Sequence, residues 1–98
     1  LIGEYPAEGW SQDFARKALR WERRMEFAME GDRFFDLVRW GIAAETMNSY
    51  ISVEQNKRVY YRCARFVRGR DEYLPIPNAQ YNFSEGNYVQ NPGYGKFN

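Results

Sequence analysis

Trp21-Glu22-Arg23-Arg24-Met25-Glu26-Phe27-Ala28-Met29-Glu30-Gly31-Asp32-Arg33-Phe34-Phe35-Asp36-Leu37-Val38-Arg39-Trp40-Gly41 decides how this chain folds. Large apolar residues recur at helical spacing, and acids and arginines alternate between them. Two glycines, Gly31 and Gly41, interrupt the pattern where helices end. The stretch reads as a helix, a tight corner and a second helix, with ion pairs laid close to the core. That is architecture and not yet chemistry.

Upstream, Gly3, Pro6 and Gly9 mark residues 1–10 as an incoming loop. Ser11 is placed to cap a helix, and Asp13 stands in its first turn, where a carboxylate suits the helix dipole. Phe14, Ala18, Trp21, Met25, Ala28 and Met29 form one apolar stripe, so the spacing predicts a helix over Gln12–Glu30. Arg33–Trp40 predicts a short second helix introduced by Asp32. Phe34, Leu37 and Val38 lie on one face, with Arg33, Asp36 and Arg39 on the other, so that Asp36 reaches either neighbouring arginine. A third helix is expected from Ile42 to about Asn56, with Ala43, Met47, Tyr50, Ile51 and Glu54 on one mostly apolar face. The helical region is therefore 11–56.

The pattern changes at Lys57. Val59–Val67 is rich in β-branched and aromatic residues, Arg68–Asp71 reads as a turn, and Pro75 and Pro77 impose an extended shape on Tyr73–Pro77. Residues 57–77 are expected to be an extended or hairpin segment. Asn78 is placed to cap a single helical turn through Tyr81. Residues 78–98 are rich in Asn, Gly and aromatics and are expected to form an irregular strap over the helices. The expected class is mostly α with a short β or extended segment.

Composition narrows the chemistry. The chain has 98 residues, 14 basic against 13 acidic, a net charge of +1 and 18% aromatics. That is one modest core and no strong overall field. It has no histidine, the commonest general base and zinc ligand. Its single cysteine, Cys63, forms no intrachain disulfide and no thiolate cluster, and reads as a small buried apolar residue. No apolar run approaches the roughly 20 residues that span a bilayer.

Several groupings invite a functional reading. Glu22, Glu26 and Glu30 lie four residues apart like helical metal ligands, but helical di-iron sites add a histidine, so ion pairing with Arg23, Arg24 and Arg33 is the better account. Glu22 with Asp36 makes a weak acid–base pair. No catalytic residue, metal ligand or cofactor site is assigned. Lys57, Arg58, Arg62, Arg65, Arg68 and Arg70, interleaved with Tyr60, Tyr61 and Phe66, resemble a basic and aromatic surface for single strands. A small helical nucleic-acid or protein-interaction module using Lys57–Arg70 is therefore the alternative function. The near-zero net charge weighs against it, and nucleic acid is not the expected partner. Aromatics also stack on sugar rings. Trp40 and Tyr50 sit on apolar faces and are expected in the core, while Trp10, Tyr60 and Tyr61 stand in or beside loops and are the candidate ligand contacts.

The run Glu22–Gly41 resembles the signature near the C-terminus of SusD/RagB-type proteins. Tyr73-Leu74-Pro75-Ile76-Pro77 followed by Gln90-Asn91-Pro92-Gly93-Tyr94 resembles that family's closing motif. The two stand in the family's order and frame most of the chain. Asp32 stands where a histidine is common, and Gln80-Tyr81 where an acid and an aliphatic are common. The resemblance implies the C-terminal part of a longer outer-membrane surface lipoprotein with tetratricopeptide-like helix pairs. It implies a protein that binds glycans or other nutrients without catalysis and caps a SusC-like TonB-dependent transporter. The expected partners are that transporter, an oligosaccharide or polysaccharide, and the upstream part of the same polypeptide, which would carry the lipid-bearing cysteine. Family ligand residues lie in variable loops, mostly upstream, so none is carried over. Glu22, Arg23, Arg24, Glu26, Glu30, Gly31, Arg33, Phe34, Phe35, Asp36, Leu37, Arg39, Trp40 and Gly41 are read as scaffold, together with Leu74–Pro77 and Asn91–Tyr94.

Overall fold

The computed structural model describes residues 3–97, so residues 1–2 of the expected loop and residue 98 of the expected strap lie outside the described residues. Four α-helices follow in order: α1 (Gln12–Glu26), α2 (Asp32–Arg39), α3 (Ala43–Glu54) and α4 (Asn78–Phe83), with a 3-10 turn at Val59–Tyr61. No strand occurs among the described residues. The fold is mostly α, as the hydrophobic spacing required. The chain divides into two compact units, Leu1–Asp36 and Leu37–Asn98, and the boundary falls inside α2.

In the first unit Ser11 caps α1 as expected, its Oγ accepting from the Phe14 N–H at 3.1 Å. Tyr5, Trp10 and Phe14 pack edge-to-face around that helix start, with centroids 5.0–6.3 Å apart. The helix ends at Glu26, four residues before the expected Glu30. The corner that follows uses two left-handed residues. Gly31, at φ 84°, is the one the sequence marks; Met29, at φ 69°, is not. Glu30 therefore leaves the helix, and the four-residue line of Glu22, Glu26 and Glu30 is broken. Within α1 only Ala18 is buried, while Trp21 and Met25 remain partly exposed.

The second unit is organised by how α2 stops. The Ile42 N–H reaches the Leu37 carbonyl at 3.0 Å and the Gly41 N–H reaches Val38, also at 3.0 Å. With Gly41 at φ 71°, this is the paired 6→1 and 5→2 closure that satisfies the last carbonyls of a helix. It turns the chain into α3 and brings Leu37 against Ala43 and Ala44. Phe66 completes the buried cluster, and Val38, Ile42, Met47 and Ile51 pack on it.

The segment expected to be extended or a hairpin has no β ladder. Val59–Tyr61 is a 3-10 turn, and the residues near Phe66 and Ile76 run irregularly. Their backbone groups are satisfied by side-chain amides instead. The Asn48 Oδ1 accepts from the Phe66 N–H at 2.9 Å while its Nδ2 donates to the Phe66 carbonyl at 2.9 Å. Gln90 does the same at Ile76: Oε1 accepts from the N–H at 2.8 Å and Nε2 donates to the carbonyl at 2.9 Å. Each amide copies the two bonds that a neighbouring strand would make.

Helix α4 is longer than the single turn expected, and its cap residue is Pro77 rather than Asn78. Pro77 serves because it cannot donate and its ψ of 144° is already extended. The Tyr81 ring then stacks on Phe97, with centroids 4.1 Å apart.

Candidate functional site

The scaffold signature centres on Asp36. Its carboxylate is buried, and Arg23 reaches it from α1 with two bonds, Nε to Oδ2 at 2.7 Å and Nη2 to Oδ1 at 3.0 Å. A planar guanidinium fork matches a carboxylate in this way, and a charge this enclosed needs such a partner. The sequence reading paired Asp36 with Arg33 or Arg39 on its own helix. The forked pair of bonds comes from Arg23, thirteen residues earlier, because the corner folds α1 back within reach. The Asp36 hydrogen bond, with its charge beside it, raises the affinity of the Arg23 guanidinium for its proton. Arg23 also lies over the Phe27 ring, 4.7 Å from its centroid. Arg33 is pushed the other way, first by burial and then by the charge of Arg24.

The closing motif is equally occupied. The Asn91 Nδ2 donates to the Leu74 carbonyl at 2.6 Å, and the Tyr94 hydroxyl donates to the Tyr73 carbonyl at 2.6 Å. Gly93, at φ 83°, lies so close to Arg70 that a Cβ there would stand 2.8 Å from the Arg70 Cγ. Arg70 forks onto Asp71, with Nη2 to Oδ2 at 3.0 Å, and Asp71 Oδ2 accepts from the Val67 N–H at 2.6 Å. The Arg70 bond and then the Val67 N–H hold the Asp71 carboxyl below its ordinary value of 3.8. An open cleft of about 470 Å³ lies along Tyr81 and the Tyr88–Phe97 segment. The Gln90 amide that lines it is already committed to Ile76, and the Asn91 Nδ2 to Leu74.

The three candidate contacts fall into two groups, each inside one unit. In the first, Trp10 is 48% exposed, yet its Nε1 donates to the Pro6 carbonyl at 2.7 Å. Beside it the Tyr5 hydroxyl donates to Glu22 at 2.9 Å, and that bond holds the Tyr5 phenol above its ordinary range. These rings fasten the start of α1. In the second, Tyr60 is 72% exposed and tilts against Tyr61, with centroids 5.0 Å apart. The Arg58 Nη1 donates to the Tyr60 hydroxyl at 2.9 Å.

Tyr50 is a correction. The sequence placed it in the core, but it is exposed and meets Tyr61 edge-on at 6.4 Å. The charge of Glu54, one turn on, is the first cause that raises the Tyr50 phenol. The signal for this group was the crowding of three tyrosines around Glu54 and Arg58. Helical spacing alone cannot separate an exposed aromatic from a buried one. Cys63 is a second correction, since it is exposed rather than buried. Among the described residues no helix is long and apolar enough to cross a membrane.

Comparison with known proteins identifies the scaffold. The family model described as the SusD family matches residues 2–94. No curated protein matches the chain.

Proposed function

The chain belongs to the SusD family, and from that premise we propose that the protein captures a nutrient glycan at the bacterial cell surface and passes it to a SusC-like TonB-dependent transporter in the outer membrane. The family is one of non-catalytic, nutrient-binding surface lipoproteins. The observation that carries the reading is the span of the match, which takes in both the Glu22–Gly41 signature and the closing motif. The signature's Arg23 and Asp36 are committed to each other, and Gln90, Asn91 and Tyr94 of the closing motif to the backbone of Tyr73–Ile76. This arrangement suits a frame that presents loops, with binding by non-covalent contact and no group transfer. Anchoring is proposed to be through a lipid on an N-terminal cysteine of the full protein.

The nucleic-acid alternative loses ground for a physical reason. Lys57 and Arg58 share Glu54, Arg68 pairs with Glu45 at 2.9 Å, and Arg70 pairs with Asp71. A backbone-tracking stripe needs a row of uncommitted cations, and in this run the acids interrupt it.

The test is retardation of the full-length protein in native gels containing single polysaccharides, together with co-purification from membranes. The expected result is retardation by at least one polysaccharide and recovery of a TonB-dependent barrel with the protein. A protein that no polysaccharide retards and that brings no barrel with it overturns the proposal.

A further inference from the structure

The corner between α1 and α2 holds a methionine out in solvent. Met29 is 103% exposed and has φ 69°, a backbone conformation unfavourable for any residue with a bulky side chain. A residue keeps such a conformation where its surroundings impose it. Here they do. The Glu30 N–H closes the turn onto the Phe27 carbonyl at 3.2 Å. The Arg23 guanidinium lies 4.7 Å from the centroid of the Phe27 ring and forks onto the buried Asp36 of α2. The corner is thus fastened on either side of Met29, and it is the corner that fixes where this side chain stands.

The chain has three methionines, and the fold gives each a different access to water. Met47 packs against the buried cluster of Leu37, Ala43, Ala44 and Phe66. Met25, in the last turn of α1, is 41% exposed. Met29 offers its whole side chain to solvent. A thioether is oxidised by peroxides to the sulfoxide. The sulfur lone pair takes one oxygen of hydrogen peroxide, an S–O bond forms as the O–O bond breaks, and the departing hydroxide gains the remaining proton and leaves as water. Sulfur is oxidised and the peroxide is reduced. The product is polar, which disrupts a core but suits water. At Met47 the new oxygen would lie against apolar neighbours. At Met29 it lies in solvent, and the Arg23–Asp36 fork that holds the corner is untouched. We propose that Met29 is a reversible oxidation site, which accepts one oxygen atom from a peroxide and leaves the fold intact. The same exposure opens the sulfoxide to a methionine sulfoxide reductase, which returns the thioether.

The full-length protein is treated with graded hydrogen peroxide, after Cys63 has been alkylated so that its exposed thiol takes none of it. Fragment mass spectra place the added oxygen on Met25, Met29 or Met47, and the melting temperature is read at each dose. Of these three, Met29 is expected to convert first, Met25 after it and Met47 last. The melting temperature should keep its untreated value while Met29 alone is converted, and fall once Met47 is. Methionine sulfoxide reductase, supplied with its thiol reductant, should restore Met29. Met29→Leu keeps the apolar bulk and removes the acceptor, so at the lowest converting dose the variant should carry no added oxygen on this segment. Conversion of Met25 or Met47 ahead of Met29 overturns the site. A melting temperature that falls as Met29 converts, with Met47 still unmodified, overturns the intact fold. A Met29 sulfoxide that the reductase leaves in place overturns the reversibility.

Discussion

The corner between α1 and α2 and the clasp between Leu74–Pro77 and Gln90–Tyr94 both lie in the span that the SusD family model matches, but they are held by opposite means. The corner uses charge: one buried carboxylate, Asp36, gripped by the Arg23 fork. The clasp uses neutral amides and a phenol on backbone groups: Gln90 on both polar atoms of Ile76, Asn91 on Leu74 and Tyr94 on Tyr73. The difference follows from the backbone being held. Helices satisfy their own N–H and carbonyl groups, so two of them can be joined through side chains alone. A Pro-x-Pro segment cannot form a full ladder along the edge that Pro75 and Pro77 face, because neither has an N–H to give. Ile76 keeps the donor between them, and the Gln90 side-chain amide satisfies its N–H and carbonyl together.

The largest effect should come from the corner. Arg23→Ala leaves the buried Asp36 carboxylate without its fork, and stability should fall by about 3 kcal/mol, read as an early midpoint in urea. Asp36→Ala should lower the melting temperature without altering ligand preference. An unchanged midpoint in either variant would break the contrast, since charge would then not hold the corner. The clasp should be next. Gly93→Ala combines a left-handed backbone with a Cβ driven into Arg70 and should cost about 2 kcal/mol. Gln90→Ala should cost about 1 kcal/mol by orphaning the Ile76 backbone pair, with faster amide exchange at Ile76 as its local readout.

A smaller effect separates the regions by pH. Asp71 is held below its ordinary value of 3.8 by Arg70 and the Val67 N–H. A carboxylate depressed in the folded state contributes stability above its unfolded value and loses it as pH falls through the lower folded value. The stability gap between wild type and Asp71→Asn should therefore be full at pH 7 and close progressively below about pH 4. A gap that persists in strong acid would show that the carboxylate's charge is not what matters there. The smallest effect has the opposite sign. Met29 is fully exposed at φ 69°, so Met29→Gly should stabilise by about 0.5 kcal/mol, relief of the left-handed cost exceeding the entropy of glycine. A loss of stability would mean that the Met29 side chain is used.

The helices were legible because hydrophobic spacing, the Ser11 cap and the two glycines are local signals with a fixed period. Gly41 closes α2 as expected, and Leu37, Val38, Met47 and Ile51 fall in or against the core as their period requires. The β-like segment misled because Val59, Tyr60 and Tyr61 carry strand propensity, whereas α3 and the tail supply amides that satisfy this backbone without a partner strand. The exposure of Tyr50 was hidden for a related reason: periodicity reports a face but not whether anything covers it.

The sequence by itself determined that the chain is helical and where α2 stops. Each of these follows from what a residue's own backbone and its neighbours three or four positions away permit. Only the tertiary structure decided that Arg23 partners Asp36 and that Asn48 and Gln90 stand in for strands. Those pairings join residues distant in the chain, and their bonds form only when the fold brings two side chains within about 3 Å at a fixed angle, a condition that no local pattern encodes.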